Sequence, residues 1–155
     1  MPCRSRCGKR WARSPRITSP TISLEGLLDA DLVFNHLLDT ETSSSFDLAK
    51  VQISQNGGSF TNLPVNLLDT ANSFAEVTIS LTSYVDSDVR VRFDFDTVDE
   101  QFNDNEGWYI DDVVVTDGQQ TLFSDDFESG NAKWTIDCFI TPLEGADALV
   151  TDREG

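Results

Sequence analysis

Between positions 89 and 96 every second residue is apolar: Val89, Val91, Phe93 and Phe95 alternate with Arg90, Arg92, Asp94 and Asp96. A repeat of two belongs to an extended strand, whose successive side chains point to opposite faces; a helix would scatter these residues around its circumference. The repeat returns where Val77, Ile79 and Leu81 flank Thr78 and Ser80, and where Ala49, Val51 and Ile53 interleave with Lys50, Gln52 and Ser54. Asn56-Gly57-Gly58 follows, and residues tolerant of positive φ at that point predict a hairpin leading into 59–63. Further strands are expected over 21–24, 31–38, 108–115, 121–127 and 133–140. Residues 27–38 come closest to helical spacing, yet Val33 and Phe34 with their polar flanks fit a central strand better. Roughly eight or nine short strands, punctuated by Gly, Asn, Asp and Ser, predict an all-β, two-sheet antiparallel sandwich.

The chain's 155 residues suit one domain with a single core. Charge is divided sharply along it. Residues 1–16 hold six of the eleven Lys and Arg and no acid, so the remainder sets five bases against 27 Asp and Glu. Such a body repels phosphate backbones, which argues against nucleic acid as a partner and makes divalent cations natural counter-ions. The basic head has the charge of a signal peptide's first region without the apolar stretch that must follow, and is expected to be a disordered leader over 1–17. No apolar run approaches the roughly eighteen residues that cross a bilayer as a helix, so no membrane insertion is expected. Cys3, Cys7 and Cys138 are an odd set without the second half of a zinc site. Cys3 and Cys7 are left open between thiols and a disulfide, and Cys138 reads as a small buried hydrophobe.

The segment Gly107-Trp108-Tyr109-Ile110-Asp111-Asp112-Val113-Val114-Val115 poses a problem of parity. In an unbroken strand Tyr109, Asp111, Val113 and Val115 share one face and Trp108, Ile110, Asp112 and Val114 the other, so whichever face is inward carries a carboxylate. A buried carboxylate without a partner is costly, and a hard cation with oxygen ligands is one remedy; an Asp at a sheet edge, capping loop amides, is the rival. The cation is the favoured of these two readings, with one acid of the pair turned toward it. A second acidic feature, Asp125-Asp126-Phe127-Glu128-Ser129-Gly130 followed by Trp134, sets acids among aromatics at the mouth of a turn. The 97–107 loop adds Asp99, Glu100, Asn103, Asp104, Asn105 and Glu106 at a place where sandwiches present metal or ligand contacts.

Residues 18–24 (Thr-Ser-Pro-Thr-Ile-Ser-Leu), 32–36 (Leu-Val-Phe-Asn-His), 47–51, 53–58 (Ile-Ser-Gln-Asn-Gly-Gly), 91–97 (Val-Arg-Phe-Asp-Phe-Asp-Thr) and 107–113 occur in an order that resembles the MAM-like and choice-of-anchor J jelly rolls. Domains of this kind also occur beside immune inhibitor A metallopeptidases and in cleaved adhesins. The resemblance covers about residues 18–116. It implies a concanavalin A-like sandwich that binds calcium structurally within a secreted or surface protein. Carried over by position, Asp111 is the closing ligand with Asp112 beside it, Glu128 matches the opening one, and Asp47 and Asp96 are further candidates. One departure concerns order, because the opening-type motif at 126–130 follows the closing motif here. The sandwich is accordingly expected to span 18–140, with 121–140 folding back into the first-strand position and 141–155 forming an irregular tail.

The expected function is a noncatalytic, calcium-stabilised binding or adhesion module, secreted or at the cell surface. Its expected partners are a protein or glycan ligand and the neighbouring domains of a larger protein. A carbohydrate-binding module or an accessory domain of a secreted peptidase is the alternative, with Trp108 and Tyr84 as candidate ligand-binding aromatics and Tyr109, Trp134 and Phe60 behind them. A jelly-roll glycoside hydrolase ranks lower. Asp94-x-Asp96-x-x-Asp99 only loosely matches the Glu-x-Asp-x-x-Glu of such glucanases, and alternation turns its first two acids outward. No His-Glu-x-x-His or nucleophile-elbow motif is present, and His36, the only histidine, sits in an apolar strand as a core residue. No catalytic residue is assigned.

Overall fold

Alternating apolar residues become strands in the computed structural model, which describes residues 12–39, 47–71, 73–97, 107–141 and 150–151. In chain order these are β1 (Ala12–Thr18), β2 (Ile22–Ser23), β3 (Asp31–Asp39), β4 (Asp47–Gln55), β5 (Thr61–Asn62), β6 (Ala75–Ser80), β7 (Asp88–Thr97), β8 (Gly107–Thr116), β9 (Thr121–Asp125), β10 (Thr135–Thr141) and β11 (Val150–Thr151). One 3₁₀ turn, Thr82–Tyr84, is the only helical geometry among the described residues. No helix among them is long and apolar enough to cross a membrane.

Two antiparallel sheets form a sandwich. One runs β11-β10-β1-β7-β4-β5 with β2 also on β7; the other runs β6-β3-β8-β9. The core lies between them because each strand turns its apolar parity inward: Leu32, Phe34, His36 and Leu38 from β3, Val51 and Ile53 from β4, and Val89, Val91, Phe93 and Phe95 from β7. Phe93 is the aromatic centre, with ring centroids 5.0 Å from Phe34, 5.7 Å from Trp108 and 5.9 Å from Trp134. Edge-to-face contacts of this kind add to the area that the rings bury. His36 is 3 % exposed and its Nδ1 accepts the Trp108 indole N–H at 3.2 Å, so it packs in the core as its neighbours predicted.

The leader does not stay unstructured through residue 17: Ala12–Thr18 is a strand between β10 and β7. Pro15 lacks an amide hydrogen, and the pairing to β7 passes from Arg13↔Thr97 to Arg16↔Asp94 across it. Ile17 supplies the apolar anchor, and past Thr18 the Ser19 amide donates to Val91 O while its Oγ accepts the Val91 amide. Toward the other end, Val150–Thr151 pairs with β10, so the expected irregular tail contains a strand. Residues 1–11, with Cys3 and Cys7, lie outside the described residues, as do the side chain of Cys138 and the loop acids from Asp99 to Glu106.

On the outer side of the larger sheet the in-register row Asp137, Arg16, Asp94, Lys50 alternates in charge across β10, β1, β7 and β4. Arg16 Nε lies 3.2 Å from Asp94 Oδ1, and Asp94 is only 3 % exposed. Opposite charges on facing strands favour this register over its alternatives.

Candidate functional site

The parity problem in β8 is solved by its backbone. Asp31, Leu32 and Val33 pair with Thr116, Val115 and Val114, whereas Asn35 pairs with Asp111 and the register continues from there to Gly107. One extra residue of β8 therefore stands opposite Phe34, a β-bulge, and Asp112 adopts φ +48 within it. Asp is among the few non-glycine residues that take this conformation readily. The bulge resets the alternation so that Trp108, Ile110, Val113 and Val115 all face the core. Asp111 is half-buried and Asp112 exposed, and the carboxylate expected on the inner face is not there. Local bonds hold both acids: Asp111 Oδ1 accepts the Asp112 amide at 2.9 Å, and Asp112 Oδ2 accepts Asn35 Nδ2 at 3.0 Å.

The buried acid of this region is Asp125, at 6 % exposure. It faces Val113 across the β8–β9 ladder, its Oδ1 accepts the Phe127 amide at 3.0 Å, and its Oδ2 accepts the Trp134 indole N–H at 2.7 Å. Trp134 stacks on Phe127, with centroids 5.5 Å apart, and meets Phe123 edge-on. Asp125 thus ties together a turn in which Phe127 itself takes φ +56. Sequence reasoning placed Asp125 in the acidic motif without singling it out, although an Asp nine residues before a Trp in a turn-rich stretch offered a donor and an acceptor to each other.

Beside this turn is a shallow cleft of about 200 Å³, bordered by Asp112, Val114, Ser124, Asp125, Asp126 and Lys133. The Lys133 ammonium donates to Ser124 O at 2.8 Å, and Asp126 Oδ1 accepts the Glu128 amide. β9 (Thr121–Asp125), which leads into the opening-type motif at 126–130, pairs with β8, the strand of the closing motif.

The four predicted calcium ligands whose side chains are described do not come together. Asp111 and Asp112 sit on the smaller sheet, and Glu128 is exposed in the turn after β9. Asp96 lies on the larger sheet, 3.9 Å from Lys50 Nζ. Asp47 opens β4 opposite Thr97, with its side chain outside the described residues. Among the described residues no three His, Cys, Asp or Glu side chains converge on a point. Asp96, Asp111, Asp112 and Glu128 thus form no such group.

Of the two candidate ligand-binding aromatics, Trp108 is corrected. Trp108 is fully buried with its indole N–H committed to His36, so it presents no platform. Tyr84 is half-buried in the 3₁₀ turn and packs against the core. Phe60 is the aromatic that meets polar company on an outer face, under the guanidinium groups of Arg92 and Arg90. No known family and no curated protein matches this chain.

Proposed function

We propose that the chain is a noncatalytic binding or adhesion module of a secreted or surface protein, built as a jelly roll of the MAM-like and choice-of-anchor J kind. The observation that supports this reading is the fate of the buried described carboxylates. Asp94 is paired with Arg16, and Asp125 is shared between the Phe127 amide and the Trp134 indole. A glycosidase needs two carboxyl groups roughly 5–10 Å apart facing the substrate, and carboxylates already tied to structural donors serve that purpose poorly. Asp94 and Asp96 stand on the side of β7 opposite Phe93 and Phe95, away from any cleft between the sheets. What the fold offers instead is two outward sheet faces, a rigid surface on which a partner can dock.

The test has two arms. The chain is incubated with mixed-linkage β-glucan and assayed for reducing ends, and the immobilised chain is probed with a glycan array and with extracellular-matrix proteins. Binding without release of reducing ends is the expected result. Release of reducing ends that Asp94→Asn and Asp96→Asn abolish would overturn the noncatalytic reading.

A further inference from the structure

We propose that the outer face of the larger sheet binds a saccharide bearing one carboxylate, through Arg90 and Arg92 beside Phe60; this rests on reading the domain as a binding module. In a chain with 27 acids and eleven bases an arginine normally finds a carboxylate. Arg16 and Lys50 do, at 3.2 and 3.9 Å. Arg90 and Arg92 have no carboxylate at ion-pair distance among the described residues, although Asp94 and Asp137 act on Arg92 from farther away. Both are instead fixed on Phe60, Arg92 at 3.6 Å and Arg90 at 5.2 Å from the ring centroid. Arg92 Nε also donates to Thr18 Oγ1 at 3.1 Å.

These contacts remove rotamer freedom before any ligand arrives, and guanidinium groups present forked N–H donors that match a carboxylate. Position in the sheet brings the two together, since residues two apart on one strand share a face roughly 7 Å apart. Ser54, paired with Arg90, is a small buried residue whose hydroxyl donates to Gly58 O at 2.6 Å. In the adjacent row Arg92 stands among neutral hydrogen-bonding groups: Thr135, Thr18, Gln52 and Asn62 are in register with it, with Gln52 Nε2 donating to Asn62 Oδ1 at 2.9 Å. Hydroxyl and amide side chains beside an aromatic ring suit sugar hydroxyls. A net charge of −16 repels a polyanion at long range, which favours a ligand whose single carboxylate sits on an otherwise uncharged body.

The test is an NMR titration of the full chain, following the Arg Nε–Hε signals, with methyl β-glucuronide, methyl β-glucoside, acetate and an N-acetylated dipeptide with a free carboxylate. The expected result is movement of the Arg90 and Arg92 signals by the glucuronide, with a Kd below those of the other three probes. Arg92→Gln and Arg90→Gln each weaken it about tenfold or more with the thermal midpoint retained. Arg90→Lys, which keeps the charge and loses the fork, weakens it as well. Glucoside binding as strong as the glucuronide's, acetate or the dipeptide binding as tightly, or silent arginine signals would each overturn this site. The module reading falls separately, on release of reducing ends in the β-glucan assay.

Discussion

Replacing Asp112 by valine tests the bulge directly. On sequence grounds the change should help, since valine suits a strand better than aspartate and a buried acid would be exchanged for an apolar side chain. The backbone says otherwise. Asp112 is exposed at φ +48, where an L-residue pays roughly 1–2 kcal/mol and a β-branched one suffers most. The bond to Asn35 Nδ2, solvent-exposed, adds a few tenths of a kcal/mol. Asp112→Val is therefore expected to destabilise the chain by about 1–2 kcal/mol, or roughly 2–8 °C in Tm for a domain of this size. Asp112→Gly, which loses the same bond but accepts the backbone angle freely, should stay within about 0.5 kcal/mol of the parent. Urea unfolding of the three chains measures both differences. If valine proves equal to glycine or better, Asp112 is not in a left-handed bulge and the parity argument for β8 is wrong.

Three further outcomes follow from the same geometry. Trp134→Phe deletes the 2.7 Å indole bond to the buried Asp125 carboxylate and should cost about 1.5–3 kcal/mol beyond lost packing; in a double-mutant cycle the loss should shrink when Asp125→Asn is already present, and strict additivity would refute the coupling. Burial lowers the pKa of His36 below its ordinary 6.5, so the unfolded chain binds the proton first. Stability from this group is present above about pH 6.5 and lost as pH falls below it, by at most about 1.4 kcal/mol per pH unit; His36→Gln should flatten that part of the urea-midpoint profile. The difference in Tm between calcium and chelator should be the same in Asp111→Ala as in the parent chain, because that carboxylate caps its neighbour's amide and does not converge with other acids; loss of a calcium-dependent gain in the variant would restore Asp111 as a ligand.

The alternation of β4, β6 and β7 carried the sandwich, because burial on one face of a strand leaves a period of two in the residues themselves. The bulge broke that reading of β8. Its mark was present: Ile110 and Val113 are three apart, with two acids between, where an unbroken strand needs an even spacing. β1 escaped for a different reason. A basic strand with a proline looks like a leader, and only the pairing on both sides with β10 and β7 makes it structural, a long-range fact that local pattern does not hold. The metal candidates rested on which way acids point. That depends on register and on one backbone angle, and the structure directs Asp111 and Asp112 to the outer side. Phe60 was among the candidate aromatics, but its arginine neighbours come from a strand thirty residues later and were not legible from its surroundings.

The pairing of β1 with β10 sets Ala12 against Thr141 and Thr18 against Thr135, so the chain enters and leaves this ladder at one end, and only the two-residue β11 then returns along the far edge of β10. Tension transmitted through the flanking polypeptide would peel this ladder from its open end, one rung after another, rather than shear all rungs at once. Under such a load β10 is a mechanical fuse: it releases at low force while the rings around Phe93 stay packed. Single-molecule stretching should record an early, low-force extension before the main unfolding event, and a single high-force rupture would rule out peeling.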